Sequence, residues 1–113
     1  MASSRRVKKI NELIKRELGK IILKEIGFPK NILVTLTHTQ TSKDLSECKV
    51  FVSVFPEKET ENVLKILDKE IYTIQQVLNA RLFMKPIPKI RFLQDKELKK
   101  AQKVDKLLNE IED

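Results

Sequence analysis

The sequence has few of the residues that most often carry chemistry. Its 113 residues include one cysteine, one histidine and two glycines, and no tryptophan. A single cysteine excludes an internal disulfide and suits a reducing compartment. Because the histidine and the cysteine fall in different predicted strands without ligand spacing, we expect no metal site and no cofactor. The glycines fall within and at the end of a predicted helix, so a phosphate-binding glycine loop is lacking as well.

Neither of the two reactive side chains stands in a catalytic pattern. His38 has no serine or cysteine nucleophile beside it in a recognisable motif, and a strand histidine is more often structural. Cys48 lies in an alternating apolar stretch, where it is expected to be a small core residue. We therefore expect no enzyme activity, no catalytic residues and no small-molecule substrate.

Long apolar runs are also missing. No stretch approaches the roughly 20 residues that a membrane-spanning helix needs, and the N-terminus lacks the apolar region of a signal peptide. We expect a soluble protein in the cytoplasm. A chain of 113 residues is long enough for one modest core without disulfides or metal, so we expect a single core domain.

Positive charge is in excess and is concentrated in two segments. Lysine and arginine number 23 against 16 acidic residues, which gives a net charge of +7. Residues 1–25 carry +5 and residues 81–103 carry +6, whereas residues 57–70 carry −2. Such an excess indicates a polyanionic partner, and the two basic segments form one electrostatic face if the fold brings them together.

The first part of the chain predicts an amphipathic helix. Apolar residues recur at helical spacing from residue 7 to residue 26, after a serine that can cap the helix and before Gly27, which ends it. Cations crowd the opposite face. An ordinary helix covering a sheet is the favoured interpretation. The alternative is an interaction module that uses this helix to bind a membrane surface or a partner protein.

Two strands follow. Residues 32–39 and 48–55 alternate in the manner of half-buried strands, and the polar turn between them predicts an antiparallel hairpin. In the first strand we expect Val34, Leu36 and His38 to share one side.

The chain is organised around residues 63–95, where an apolar-striped helix changes into a basic strand. The helical pattern exceeds the usual globular length, so we expect a kink, although no glycine marks its place. Pro86 and Pro88 end the helix by about Lys85. Beyond them apolar and cationic residues alternate in a third strand: Lys89, Ile90, Arg91 and Phe92.

After Asp95 a last helical pattern has lysines in its first half and acids at its end. These charges oppose the helix dipole, so we expect this helix to be frayed or to be ordered by a partner. The predicted order is α-β-β-α(kink)α-β plus this C-terminal helix. It corresponds to an α+β fold in which helices cover one face of a three-stranded sheet.

Three segments in this order, RRVKKINELIKRELGKII, TSKDLSECKVFVSVF and RLFMKPIPKIRFLQD, resemble the bacterial ribosome-binding factor A family. The resemblance implies a type II KH-like RNA-binding domain over residues 1–95, with residues 96–113 as a basic-to-acidic helical tail. It implies a cold-shock-linked role in late maturation of the small ribosomal subunit, through binding of its ribosomal RNA near the 5′ end and the decoding region. It also implies no catalytic activity.

The sequence departs from KH domains at one point. Many of them bind nucleic acid with a GxxG loop. The ribosome-binding family instead has a helical kink at which Ala and Gly often occur. The matching stretch here is Glu70-Ile71-Tyr72, which lacks the glycine. We therefore expect cations to contact the backbone and shape of a structured RNA, rather than a loop of amides to read a single strand.

Eight cations of the two basic segments are the candidate phosphate contacts: Arg5, Arg6, Lys8, Lys9, Arg81, Lys85, Lys89 and Arg91. The bidentate guanidinium makes Arg6, Arg81 and Arg91 the strongest of them. Lys43, in the hairpin turn, is a weaker candidate. The expected partner is the small ribosomal subunit with its ribosomal RNA, with no membrane, and the chain is expected to be a monomer off the ribosome.

Overall fold

The computed structural model describes residues 3–96 of the chain. Its elements are α1 (Ser4–Glu25), β1 (Leu33–Thr41), β2 (Glu47–Phe55), a 3₁₀ turn (Glu57–Glu59), α2 (Thr60–Lys69), α3 (Ile71–Arg81) and β3 (Lys89–Gln94). The predicted α+β class and element order are confirmed. The predicted C-terminal helix lies outside the described residues.

Helix α1 begins where its capping residue predicts. The backbone N–H of Arg6 donates to the Ser3 hydroxyl at 3.2 Å, which satisfies one of the free amides of the first turn. One stripe of α1 is buried in the core: Ile10, Ile14, Leu18, Ile21 and Ile22. The helix ends before Gly27, because Ile26 is already extended with φ −113°. Gly27 therefore follows the end of the helix without supplying a left-handed cap.

The three strands form one sheet in the order β1-β2-β3, which the sequence pattern left undetermined. β2 pairs antiparallel with β1 and parallel with β3. On the central strand the predicted alternation is confirmed: Cys48, Val50, Val52 and Val54 are buried toward the helices. Ile90 and Phe92 of β3 are buried on the same side, which leaves the other side of the sheet as an open face.

The prediction that Val34, Leu36 and His38 share one side of β1 is wrong for His38. The register with β2 shifts between Leu36 and His38, as it does at a β-bulge. One extra residue reverses the alternation beyond it. The His38 ring consequently lies on the open face, stacked on Phe51 with ring centroids 4.3 Å apart. Thr41 now points into the core side and is buried.

Helices α2 and α3 form one rod that is kinked at Glu70. This residue has φ −96° and ψ 6°, a bridge conformation that needs no glycine. Hydrogen bonding continues across the kink, since the N–H of Glu70 donates to Ile66 at 3.1 Å and the N–H of Ile74 donates to Glu70 at 3.0 Å. The rod begins at Thr60, whose hydroxyl donates to the carbonyl of Glu57 at 2.7 Å.

Asn11 of α1 ties the helix to the outer edge of β1. Its side-chain oxygen accepts the backbone N–H of Thr41 at 2.8 Å and the Thr41 hydroxyl at 2.6 Å. Its backbone carbonyl accepts the hydroxyl of Thr39 at 2.6 Å. A single residue thus satisfies an edge-strand amide and fixes the position of α1 along β1.

Gln75 of α3 does the same at the opposite edge of the sheet. Its side-chain oxygen accepts the N–H of Ile90 at 2.9 Å, and its side-chain nitrogen donates to the carbonyl of Pro88 at 3.2 Å. The two amide side chains therefore hold both edge strands, β1 and β3, to the helical layer. Neither contact follows from the local sequence pattern.

Replacing Asn11 with alanine is expected to destabilise the protein by about 1–3 kcal/mol, because the Thr41 amide and hydroxyl lose their acceptor. Urea unfolding followed by circular dichroism measures the change. Glu12→Ala, at the neighbouring exposed position of α1, is the matched control and should change the stability much less. Equal losses in the two variants would show that the contact contributes little.

Candidate nucleic-acid interface

The fold brings parts of both basic segments to one end of the molecule. Asn11 contacts the end of β1, so the first two turns of α1 extend past that strand toward the β1–β2 loop. Strand β3 begins beside the same loop, since the N–H of Lys89 donates to the carbonyl of Ser46 at 3.0 Å. We call this region the basic end, and its cations are Arg5, Arg6, Lys8, Lys9, Lys43 and Lys89.

The four cations of α1 are the most available of the candidates. Arg5, Arg6, Lys8 and Lys9 are all exposed, and none of them makes an ion pair within residues 3–96. The first turn of α1 contains no acidic residue, so the positive end of the helix dipole adds to their charge. This surface is suited to phosphate groups.

Arg81 has a different environment from the one its sequence position suggests. Its guanidinium donates to Glu17 of α1 at 3.3 Å, and its side chain is only 33% exposed. That hydrogen bond, together with the charge of Lys20, holds the pKa of Glu17 below its usual value. Arg81 therefore links α3 to α1. The sequence could not reveal this partner, because the two residues are 64 positions apart.

The remaining candidates lie in the segment that leads into β3 and on the open face of the sheet, and of these Lys89 also belongs to the basic end. Lys85 is exposed in the segment that leads into β3. Lys89 and Arg91 point away from the buried Ile90, on the open face. Arg91 lies 3.9 Å from the carboxylate of Glu47, too far for a hydrogen bond, and this carboxylate oxygen is buried without a hydrogen-bond partner among the described residues. The structure therefore does not gather all eight candidates on one patch.

The β1–β2 loop at the basic end is held by a carboxylate. Asp44 accepts the hydroxyls of Ser46 and Ser42, each at 2.7 Å, and the N–H of Ser46 at 3.0 Å. These hydrogen bonds lower the pKa of Asp44 to about 2, and the one from the Ser46 hydroxyl has the largest effect. Leu45 is buried with φ 62°, a left-handed conformation that costs about 1–2 kcal/mol. Lys43 is thus presented from a fixed loop.

The two reactive side chains, His38 and Cys48, lie on opposite faces of the sheet. Burial raises the pKa of the Cys48 thiol, which makes it a poor nucleophile. His38 lies 3.7 Å from the carboxylate of Asp95, on the open face. Within residues 3–96, His, Cys, Asp and Glu side chains form no group of three that could hold a metal ion.

The apolar stripe of α1 is buried against the sheet, and this bears on the alternative of a helix that binds a membrane or a partner. Ile14, Leu18 and Ile21 each have 0% exposure. To dock elsewhere, α1 would have to leave the core. Among the helices of the described residues, none combines the length and the apolarity that crossing a membrane requires.

Comparison with known families gives one consistent match. The family model described as "Ribosome-binding factor A" matches residues 6–108. Proteins of that name from Halothermothrix orenii and Synechocystis are similar to this chain. The first is 31% identical over 96% of this chain and 89% of its own length. The second is 32% identical over 98% of this chain and 86% of its own length.

Solved structures agree with these relatives. The crystal structure of ribosome-binding factor A from Thermus thermophilus is 26% identical, with a TM-score of 0.69 over 78% of this chain and 94% of its own. A Thermotoga maritima solution structure, 24% identical over 84% of this chain and 92% of its own, shares the fold with a TM-score of 0.67. A homology model of the T. thermophilus factor has been fitted into a cryo-electron microscopy map of a 30S complex. It is 29% identical over 74% of this chain and 88% of its own, with a TM-score of 0.64.

Removing the Arg81 side chain is expected to lower the melting temperature, because Glu17 then loses the hydrogen bond that joins α1 to α3. Arg81→Ala is compared with Lys85→Ala, which removes an exposed cation four residues later and should leave the melting temperature nearly unchanged. Thermal unfolding by calorimetry makes the comparison. A larger loss for Lys85→Ala would contradict this assignment.

The lowered pKa of Asp44 predicts a pH-dependent contribution to stability. Because the folded-state pKa lies below the usual 3.8, the contribution is complete above about pH 4 and is lost as the pH falls toward 2. We expect the stability advantage of the wild type over Asp44→Asn to be constant from pH 7 to 5 and to shrink below about pH 4.

Asp68→Asn, which alters an exposed carboxylate on α2, is the control for this measurement. It should show no matching change over the same pH range, as followed by urea unfolding. A stability advantage that stays constant down to about pH 2 would contradict the hydrogen-bonded carboxylate in the loop.

Proposed function

The chain belongs to the ribosome-binding factor A family, and on that premise we propose that it is a non-enzymatic assembly factor of the small ribosomal subunit. It binds the subunit's ribosomal RNA in the cytoplasm, as a monomer when off the ribosome, and assists late maturation, including processing of the RNA 5′ end. The 30S complex of the T. thermophilus relative supports this partner.

The observation that carries the proposal is the set of four exposed cations on the first turns of α1, which have no acidic partner within the described residues. Fully solvated cations release counterions when they neutralise phosphates, and this supplies sequence-independent affinity. Lys43 and Lys89 extend the same surface at the basic end, and we include the exposed Lys85 as a further candidate contact. Arg81 is left out of the contact set, because Glu17 already accepts its hydrogen bond.

The expected mode of binding is recognition of RNA backbone and shape. A KH-like grip by a GxxG loop would place free backbone amides at the kink between α2 and α3. At that kink this chain has Glu70, whose own N–H donates to Ile66. A carboxylate beside phosphates would oppose binding. We therefore assign the contact to the basic end and not to the kink.

Charge reversal at the basic end tests the proposal. Arg6→Glu with Lys9→Glu is expected to weaken cosedimentation with purified small subunits and to reduce the salt slope by about 1 for each phosphate that is no longer neutralised. The fold should survive, because acidic residues near a helix N-terminus are compatible with its dipole. Circular dichroism verifies the fold.

The matched control, Lys24→Glu with Lys30→Glu, changes the net charge equally near the opposite end of α1, where both lysines are also exposed. It should retain most of the binding and the wild-type salt slope. Equal weakening in both double variants would contradict a localised interface, and binding that does not respond to salt would contradict recognition of RNA phosphates.

A further inference from the structure

Two aromatic rings are stacked on the open face of the sheet. The His38 ring of β1 lies against the Phe51 ring of β2, with centroids 4.3 Å apart and planes 13° from parallel. Phe51 covers one face of the imidazole, and the His38 side chain remains 47% exposed. An exposed face of an aromatic ring is a surface on which another flat ring can stack.

The backbone holds the two rings in place. The bulge between Leu36 and His38 turns the imidazole to the open face. The Thr37 hydroxyl donates to the backbone carbonyl of Phe51 at 3.2 Å and lies 3.3 Å from Nδ1 of His38. Rings that are already held in position lose little freedom when a ligand stacks on them.

A cavity of about 700 Å³ lies against the stack. Gln40, Gln94 and Asp95 line it with polar groups, and Leu93 adds an apolar surface. A nucleobase has a flat aromatic face and an edge of hydrogen-bond donors and acceptors. Side-chain amides can donate and accept at such an edge, and a carboxylate can accept from the amino group of a base. The cavity therefore offers both kinds of contact that a base needs.

Cations continue from the basic end onto the same face. Lys49 and Arg91 are register partners in the row next to Phe51. Lys89 lies further toward the start of β3, beside the β1–β2 loop. All three cations are exposed, and they outnumber Glu47, the acidic group near them. The rings thus lie at the end of a positive path that starts at the basic end.

We propose that the stack of His38 on Phe51 binds an unpaired base of the ribosomal RNA, while the backbone of the same RNA strand follows Lys89, Arg91 and Lys49. This inference rests on the proposed function, because the RNA held at the basic end is the ligand. Structured RNA exposes unpaired bases in its loops and bulges, where they stack on aromatic side chains. One base contact is thereby added to the contacts that the basic end makes with the backbone.

The spread of positive charge favours an RNA strand over a free nucleotide. From Lys89 to Leu93, β3 is about 13 Å long, and its two cations lie at its start, away from the cavity. A strand brings a phosphate with every nucleotide, so its backbone can meet Lys89 while its base reaches the rings. The continuity of the cations with the basic end supports the same strand as the occupant.

The groove between α1 and β1 is a poorer match for a base. Its volume is about 710 Å³, and aliphatic side chains such as Ile22, Leu23 and Leu36 form much of its lining. Among residues 3–96, the stacked pair of rings lies on the open face and not in this groove. The groove therefore lacks the feature that selects a flat aromatic ligand.

Fluorescence anisotropy with the full chain tests the stack. The probes are a single-stranded RNA 12-mer without self-complementarity and the duplex of that 12-mer with its complement. His38→Leu removes the ring and keeps an apolar side chain, and we expect it to weaken single-strand binding about 5- to 150-fold, the range for one stacked base. The affinity for the duplex should stay unchanged, because paired bases are not free to stack on the protein.

Two further variants separate stacking from a change in the fold. His38→Phe restores a ring and should retain the single-strand affinity. Tyr72→Leu removes an aromatic side chain that is 74% exposed on α3, and it should also bind like the wild type. Equal weakening by His38→Leu and His38→Phe, or no weakening by His38→Leu, would overturn the proposal. Competition by adenosine monophosphate at the concentration of the 12-mer would assign the site to a free nucleotide and overturn the strand.

Cosedimentation with purified small subunits separates this inference from the proposed function. His38→Leu is expected to weaken binding at least fivefold and to leave the salt slope unchanged, because no phosphate contact is removed. If the wild type does not cosediment, the proposed function is wrong, and with it the ribosomal ligand of the stack. If the wild type cosediments and His38→Leu binds equally well, only the stacked base is wrong.

Discussion

The burial of one stripe of α1 against the sheet is the interaction on which the rest of the structure depends. Each fully buried isoleucine or leucine of that stripe contributes about 1.5–3 kcal/mol, an upper estimate for a marginally stable domain. Burial fixes which face of α1 points inward, and the Asn11 contact with Thr41 fixes its position along β1. Together they decide where the first turns of α1 lie, and hence where the cations of the basic end are presented.

Much of the fold could be predicted because it is encoded in local periodicity. The stripe of α1, the alternation from Cys48 to Val54 and the change of period at Pro86 each depend on neighbouring residues. The bulge in β1 could not be predicted, since an extra residue is defined only by the register with β2. Strand order depends equally on contacts between distant residues. A kink was expected from the length of the helical pattern, but its place and its glycine-free geometry at Glu70 required backbone angles.

The sequence indicates which cations are candidates for the site, but it does not indicate how the fold arranges them. The start of α1 and the start of β3, one from each basic segment, lie near the same β1–β2 loop. Charge counting alone does not show which cations are available. Arg81 belongs to a basic segment, but in the folded chain it donates a hydrogen bond to Glu17. Arg91 and Lys89 lie on the open face of the sheet. A charge excess therefore indicates a class of partner, whereas the fold decides which cations are free to bind it.

Lysine footprinting by acetylation and mass spectrometry tests the central claim most directly, because it compares the lysines of one unmodified chain, free and bound to small subunits. We predict that Lys8, Lys9 and Lys85 become protected in the complex, while Lys24, Lys30 and Lys65, all exposed elsewhere, remain reactive. Protection of Lys24 and Lys30 with Lys8 and Lys9 still reactive would contradict the assignment of the RNA contact to the basic end.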